Sequence, residues 1–374
     1  MSIGLASADG RVRAAVDLVG GGLQALSVDG CDIVEGYDQG PPPHAAGAVL
    51  FPWPNRVRDG RWTHRGVERQ LEVSEPGLNN ANHGLVCENV FRVAGQEPQG
   101  VCLSTDVVAS QGYPFDLTLT LTYEVLADGV LVQACVENHS LETAPLGLGF
   151  HPYLRIGDVP TAELMLDVRA GFVLDLDEQL IPVGQHPVSG TPESPAGMPL
   201  AGARLNHCYG GLTPGASHRL KAPDGRQVEL RTDSRFGWVQ IYTCPNFPRG
   251  MDTVTAVAVE PMTAPPDALR SGRDLAWVEP GHSWSAGWSL HLNHWLGGRS
   301  RTDEGEHLHR SGRPRRAGPL RRVGQHHRCL CRHGARGRRR DGVQRSPTPD
   351  GWPQPMSHAG RRPVPTPRRG LSSP

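Results

Sequence analysis

Between Asp116 and Ser140 the chain reads DLTLTLTYEVLADGVLVQACVENHS, two runs that alternate apolar and polar residues around Asp128-Gly129. Period-two alternation turns one face of an extended chain to a core and the other to water, and Asp-Gly supplies the backbone freedom of a tight turn. The stretch therefore predicts a β-hairpin. LQALSVDGCDIVEG (23–36) repeats the pattern around Asp29-Gly30, and RDGRWTHRGVERQLEV (58–73) repeats it around Arg65-Gly66. Further strands are expected at 101–108, 228–232, 238–243, 254–260 and 284–292. No window of about a dozen residues carries a 3.6-residue apolar stripe. Many short strands without helical periodicity predict an all-β fold, a sandwich or barrel in one large domain spanning 1–297. Two stretches rich in Pro and Gly, 36–56 and 182–202, read as loops.

Charge divides the chain differently. The whole carries 38 basic and 38 acidic residues. Residues 299–374 hold 19 Arg, no Lys and 5 acids, a net +14, which leaves −14 on residues 1–298. An acidic body argues against nucleic acid as its partner, because phosphate binding needs a positive field. The segment 298–374, dominated by Arg, Pro, Gly and His, lacks the apolar residues to offset ordering entropy and is expected to be a disordered basic tail. That tail is the one candidate nucleic-acid arm. Its Cys329 and Cys331, at CxC spacing, are a poor metal pair. There is no apolar run of 18 residues and no signal-peptide pattern at the N-terminus. The six scattered cysteines of the body, without a CxxC pair, read as reduced and mostly buried thiols, so a cytoplasmic protein without a membrane partner is expected.

Four stretches combine residues that carry chemistry. In LFPWPNRVRDGRW, Pro52 and Pro54 stiffen a loop that presents Asn55 and Arg56, and a guanidinium offers five fixed donors for hydroxyls or a carboxylate. In NNANHGLV, His83 sits in a polar loop before Gly84, where backbone can approach closely. In LGLGFHPYLR, alternating Leu146, Leu148 and Phe150 end at His151, and Pro152 breaks the ladder there. Imidazole suits proton transfer near neutral pH. In TAVAVEPMTAPPDAL, an apolar strand meets Glu260 before Pro261. A carboxylate at the end of such a strand is costly unless it is paired or faces a cavity, and beside a pocket its pKa would rise toward that of a general base. Taken singly, each has a plainer reading: a surface Arg, a loop His, a hydrogen-bonded core His, an edge Glu facing water.

Together these stretches, with the closing VEPGHSWSAGWSLHL, resemble the aldose 1-epimerase (galactose mutarotase) family, in family order from Leu50 to Leu292. The PWPNR…DGRW and EPMTAPPDA forms are most similar to a bacterial branch that includes sulfoquinovose mutarotase-like members. The resemblance implies a large galactose mutarotase-like β-sandwich with its site in an open cleft on one sheet. It implies Glu260 as general base, His151 as general acid, His83 near the ring oxygen, and Arg56 with its neighbour Asn55 on sugar hydroxyls. Where the family pattern has an acidic residue in LD-x-x-F, this chain has LNHCYGGL. Asn206 stands there, an amide without charge, and weaker or altered sugar affinity is expected.

The implied reaction interconverts the α and β anomers of a hexose. A base takes the proton of the anomeric hydroxyl, an acid protonates the ring oxygen, and the opened aldehyde recloses on its other face. It needs no cofactor and no metal, and it calls for Glu260 ionised and His151 protonated. Two other readings compete on the same residues. His83, His151 and Glu260 form a His₂Glu set such as catalytic zinc uses, though without a local ligand pair. A non-catalytic sugar-binding or sugar-sensing protein would suit the fold equally, and Asn206 favours it.

Overall fold

The computed structural model describes residues 1–38 and 40–294. The tail expected from residue 298, with Cys329 and Cys331, lies outside the described residues. Within them the chain is almost entirely β, with one short helix, Ala268–Ser271, and two single 3₁₀ turns.

The hairpin read from alternation forms as Leu117–Val125 against Gly129–Asn138, registered from Leu117 opposite Asn138 to Val125 opposite Val130. It belongs to a nine-stranded antiparallel sheet. On one side lie Gly100–Val107 and Arg92–Glu97. On the other come Ser283–His294, Arg226–Thr232, Ser217–Lys221, Met165–Asp167 and Ala196–Pro199. A second sheet of eight strands runs Pro182–Pro187, Phe172–Leu176, Asn206–Gly210, Trp238–Arg249, Asp252–Met262, Gly149–Phe150 and Val49–Leu50, with Tyr153–Leu154 also paired to Asp252–Met262. The DG hairpin near residue 30 joins a four-stranded N-terminal sheet, and Arg61–His64 pairs with Val67–Gln70 around the Arg-Gly turn. The stretch 182–202 is not only loop. It supplies an edge strand to each large sheet, which its Pro content permits because an edge leaves one row of N–H groups unneeded.

Alternation decides which residues fill the space between the sheets. Leu119, Leu121 and Tyr123 share one buried cluster with Val132, Val136, Trp288 and Leu290 from the nine-stranded sheet. Val239, Ile241, Val257 and Val259 join it from the eight-stranded one. Burying apolar area at roughly 25 cal/mol per Å² drives this closure. The polar end of Tyr123 is satisfied within it, donating to the Gly21 carbonyl at 2.6 Å. The strand Asp252–Met262 is buried on both faces from Ala256 onward, so the residues between its core valines face a second enclosed environment.

Cys31, Cys87, Cys208 and Cys244 are free, and Cys208 and Cys244 are buried. No helix among the described residues is long and apolar enough to cross a membrane.

His218, on Ser217–Lys221, is 1% exposed and neither ring nitrogen has a hydrogen-bond partner. Burial pushes its pKa down to about 4. The unfolded chain then binds this proton more readily, so the fold is at full strength above about pH 6.5 and loses stability as pH falls toward 4. His218→Leu should raise stability by about 1–3 kcal/mol at neutral pH and flatten that acid limb, measured by urea unfolding between pH 4 and 7.

Candidate active site

The strand Asp252–Met262 runs through Glu260 and Pro261 rather than ending there. Glu260 lies opposite Gln240, Pro261 opposite Val239 and Met262 opposite Trp238. The break belongs to the other neighbour. Gly149 pairs with Met262 and Tyr153 with Ala258, so the chain between them leaves the ladder beside Val259–Pro261. Pro152 and Pro261 both lack an N–H, and together they sit where the ladder has this gap. His151 occupies the gap as expected. Its own peptide is clasped by the loop 47–48, with His151 N–H donating to the Ala48 carbonyl at 3.1 Å and Gly47 N–H donating to the His151 carbonyl at 2.9 Å.

The consequence is direct apposition. His151 Nε2 stands 3.5 Å from Glu260 Oε1, and both side chains are almost fully buried. His83 packs edge-on to His151, ring centroids 5.6 Å apart at 81°. The loop of Asn55 and Arg56 is seated by Pro54, whose ring lies so close to Gly147 and Gly149 that a Cβ on either would come within 2.8 Å of it. The two glycines of LGLGF thus let the PWPN loop rest on the segment that carries His151. Asn55, at φ +57, accepts the His83 N–H on its carbonyl at 2.9 Å and the Arg56 N–H on its side-chain oxygen at 2.9 Å. Gly84, at φ +79, lets the next turn cross Phe51, where Leu85 N–H donates to the Phe51 carbonyl at 2.7 Å.

Asn206, Gln240 and Glu260 lie on three adjacent strands. The register puts all three on one face, with Asn206 opposite Tyr242 and Gln240 opposite Glu260. Gln240 donates its Nε2 to Asn206 Oδ1 at 2.8 Å. Small apolar clusters flank them: Leu174, Cys208, Trp238 and Met262 on one side, Tyr153, Tyr242 and Phe247 on the other. Gln240 and Tyr242 were not singled out from the sequence. The alternation of WVQIYT places both on the face opposite Val239 and Ile241, and pairing that strand with AVAVE would have brought them to Glu260.

Arg56 is less free than a sugar-gripping residue would be. Its Nε and Nη2 form a two-pronged bridge to Glu75 at 2.7 and 2.8 Å, and Nη1 remains toward Asn55 Oδ1 at 3.4 Å. Glu75, too, was missed, since nothing local in SEPGLNN marks it. The neighbouring Arg58 pairs with Asp177 and Gln179, which ties this loop to the second sheet.

Burial sets the electrostatics. The Glu260 carboxyl is pushed up to about 8 by desolvation, with the Arg56 charge acting weakly in the other direction. Desolvation pushes His151 down to about 4, and His83 well below its ordinary value with help from His151 and Arg56. Both shifts favour the uncharged pair at neutral pH over ionised Glu260 with protonated His151. The proton inventory is the same in both descriptions. They differ by one transfer across the 3.5 Å contact. Glu260 Oε2, His151 Nδ1 and His83 Nδ1 are all buried without a hydrogen-bond partner. Buried polar atoms left unpaired cost about 1–3 kcal/mol each, and such a concentration marks a place for a polar ligand. Among the described residues no three His, Cys, Asp or Glu side chains are disposed to hold a metal ion.

The chain has counterparts among known proteins. The YihR protein of Escherichia coli K12, which is uncharacterised, is 31% identical over 278 residues, covering 73% of this chain and 88% of its own. A GalM/aldose epimerase homologue from C. elegans has the same fold, with a TM-score of 0.69 at 17% identity over 79% of this chain and all of that one. A galactose mutarotase-like protein from Clostridium acetobutylicum superposes with a TM-score of 0.66 at 18% identity over 76% of this chain and 93% of that one. The model of the aldose 1-epimerase family matches residues 5–291, nearly the whole described chain, and the protein belongs to that family.

Proposed function

We propose that this protein is a mutarotase that interconverts the α and β anomers of a hexose by general acid–base ring opening and closure. The observation that carries the reading is the buried Glu260–His151 pair, one carboxyl and one imidazole in contact with a single proton between them. The two oxygens that exchange a proton in mutarotation are bonded to the same carbon. Two adjacent groups of opposite tendency match that spacing. Glu260 takes the anomeric proton while His151, having received the shared proton, gives it to the ring oxygen, and the reverse direction swaps the roles. His83 and Arg56 hold the sugar on one side, and the Asn206–Gln240 pair holds hydroxyls on the other.

The pair works only with one proton aboard. Below about pH 4 both members are protonated and no base remains; above about pH 8 both are deprotonated and no acid remains. kcat/KM should therefore be bell-shaped, rising through about 4 and falling through about 8, and the two limbs belong to the pair rather than to either residue. A profile without the alkaline limb would contradict a pair that works with one proton aboard.

A sugar-sensing protein on the same fold is the second reading, favoured by Arg56 being held by Glu75 and by an amide at Asn206. An anomer-exchange NMR screen decides between them. Freshly dissolved glucose and galactose, then sulfoquinovose and hexose 6-phosphates, are followed toward anomeric equilibrium. Acceleration of at least one supports the mutarotase, and binding without acceleration of any supports the sensor.

A further inference from the structure

The outer face of the nine-stranded sheet carries a second set of reactive groups, remote in function from the cleft. Ser289 and His291 are two residues apart on Ser283–His294, so their side chains project from the same face. His291 Nε2 is 2.9 Å from Ser289 Oγ, and its Nδ1 is 3.0 Å from Asp128 Oδ1. Asp128 comes from the Asp-Gly turn of the central hairpin, and its carbonyl accepts the Leu292 N–H at 2.9 Å, which fixes the turn beside the strand. A carboxylate only accepts hydrogen bonds, so the neutral ring carries its proton on Nδ1 and keeps a lone pair on Nε2. The Ser289 hydroxyl donates to that lone pair. Nucleophile to imidazole to carboxylate is the order of contacts that activates a serine.

The surroundings fit a reacting group. Ser289 lines an open pocket of about 370 Å³ with Leu131, Gln133, Arg231, Asp233 and Gly287. Arg231 lies directly opposite Ser289 in the register. Its Nε and Nη2 hold Glu229 at 3.0 and 2.6 Å, and Nη1 makes no hydrogen bond among the described residues. The Ser289 backbone is in register between Leu131 and Arg231, so an oxyanion formed here would draw on the Arg231 side chain rather than on main-chain donors. His291 is buried, whereas Asp128 is half-exposed and Ser289 reaches the surface at the pocket.

We propose that Ser289, His291 and Asp128 form a second nucleophilic centre that takes the acyl group of a small carboxylic ester. Ser289 Oγ bonds to the carbonyl carbon as its proton passes to His291 Nε2. The carbon–alkoxy bond then breaks, and the departing alcohol takes that proton. Water, giving a proton to the same nitrogen, attacks the acyl-serine. The acid leaves and Ser289 Oγ is reprotonated.

The test uses the full chain with a fluorophosphonate probe and, separately, p-nitrophenyl acetate. A single adduct on Ser289 by mass spectrometry is expected. It should be absent in Ser289→Ala and slowed about 100-fold or more in His291→Asn. Acetate release should fall in parallel, while Ser289→Ala keeps its melting temperature and its anomer exchange. The proposal is overturned if Ser289 is not modified, if His291→Asn reacts at the wild-type rate, or if the ester is hydrolysed equally by Ser289→Ala. A modified Ser289 without ester hydrolysis overturns the acyl-transfer step.

Discussion

Glu260→Gln should lower kcat for anomer exchange by about 10²- to 10⁴-fold with little change in KM, and His151→Asn should do the same. Glu260→Gln keeps the shape of its residue, His151→Asn keeps a polar group near the ring's first nitrogen, and each removes the ability to carry the exchanged proton. Because the two groups share one proton across 3.5 Å, their losses should not multiply. The double variant should be no more than a few-fold slower than the worse single one. Additive losses would mean that the two act in separate steps. Stability supplies an independent readout. The folded-state pKa of Glu260, about 8, lies above the ordinary carboxylate value. The fold therefore has the full benefit of the protonated carboxyl below about pH 4.5 and loses it as pH rises through 8. Glu260→Gln should consequently be at least as stable as wild type at pH 7 and more stable at pH 9. A dead but stabilised enzyme separates lost chemistry from lost structure.

Gly84→Ala should disable the site by a different route. A Cβ at Gly84 would lie 2.1 Å from the Phe51 carbonyl oxygen, and the backbone is at φ +79, where an L side chain is strained. The obstacle is backbone on both sides, so nothing flexible can yield. The Leu85-to-Phe51 hydrogen bond is lost with it, and His83, the preceding residue, loses its place against His151. A loss of about 3 kcal/mol or more is expected, with Tm falling by roughly 6–10 °C and activity falling with it. Gly66→Ala is the control. Gly66 shares φ +79, yet a Cβ there meets nothing within 4 Å. Its cost should be only the conformational strain, about 1 kcal/mol, with activity retained. Equal destabilisation of the two variants in a thermal melt would contradict the steric account.

These predictions rest on contacts that the sequence shows unevenly. Alternation with DG and RG turns was enough to place the hairpins and the main strands, because period-two burial is a local property of the chain. His151 at its ladder break was legible for the same reason, since Pro152 marks the gap in place. Glu260 was legible as a residue but not in its setting. Pro261 reads locally as a stop, yet the strand continues, because the N–H it lacks falls beside a gap that belongs to another segment, Phe150–Pro152. The Arg56–Glu75 bridge and Gln240 on Asn206 depend on pairings between distant segments, and no local pattern encodes them. The inverted electrostatics of Glu260 and His151 have the same origin. Residue type alone fixes the ordinary pKa, whereas the surrounding burial, built from separate stretches of the chain, moves it.

The most direct test is two-dimensional exchange NMR on an equilibrated α/β mixture of the best substrate in the hexose panel, with wild type and Glu260→Gln compared at equal concentration. Cross-peaks between the anomeric signals should grow far faster with wild type than without protein, and should return close to the spontaneous rate with Glu260→Gln. Wild-type exchange that persists in Glu260→Gln would contradict the central claim.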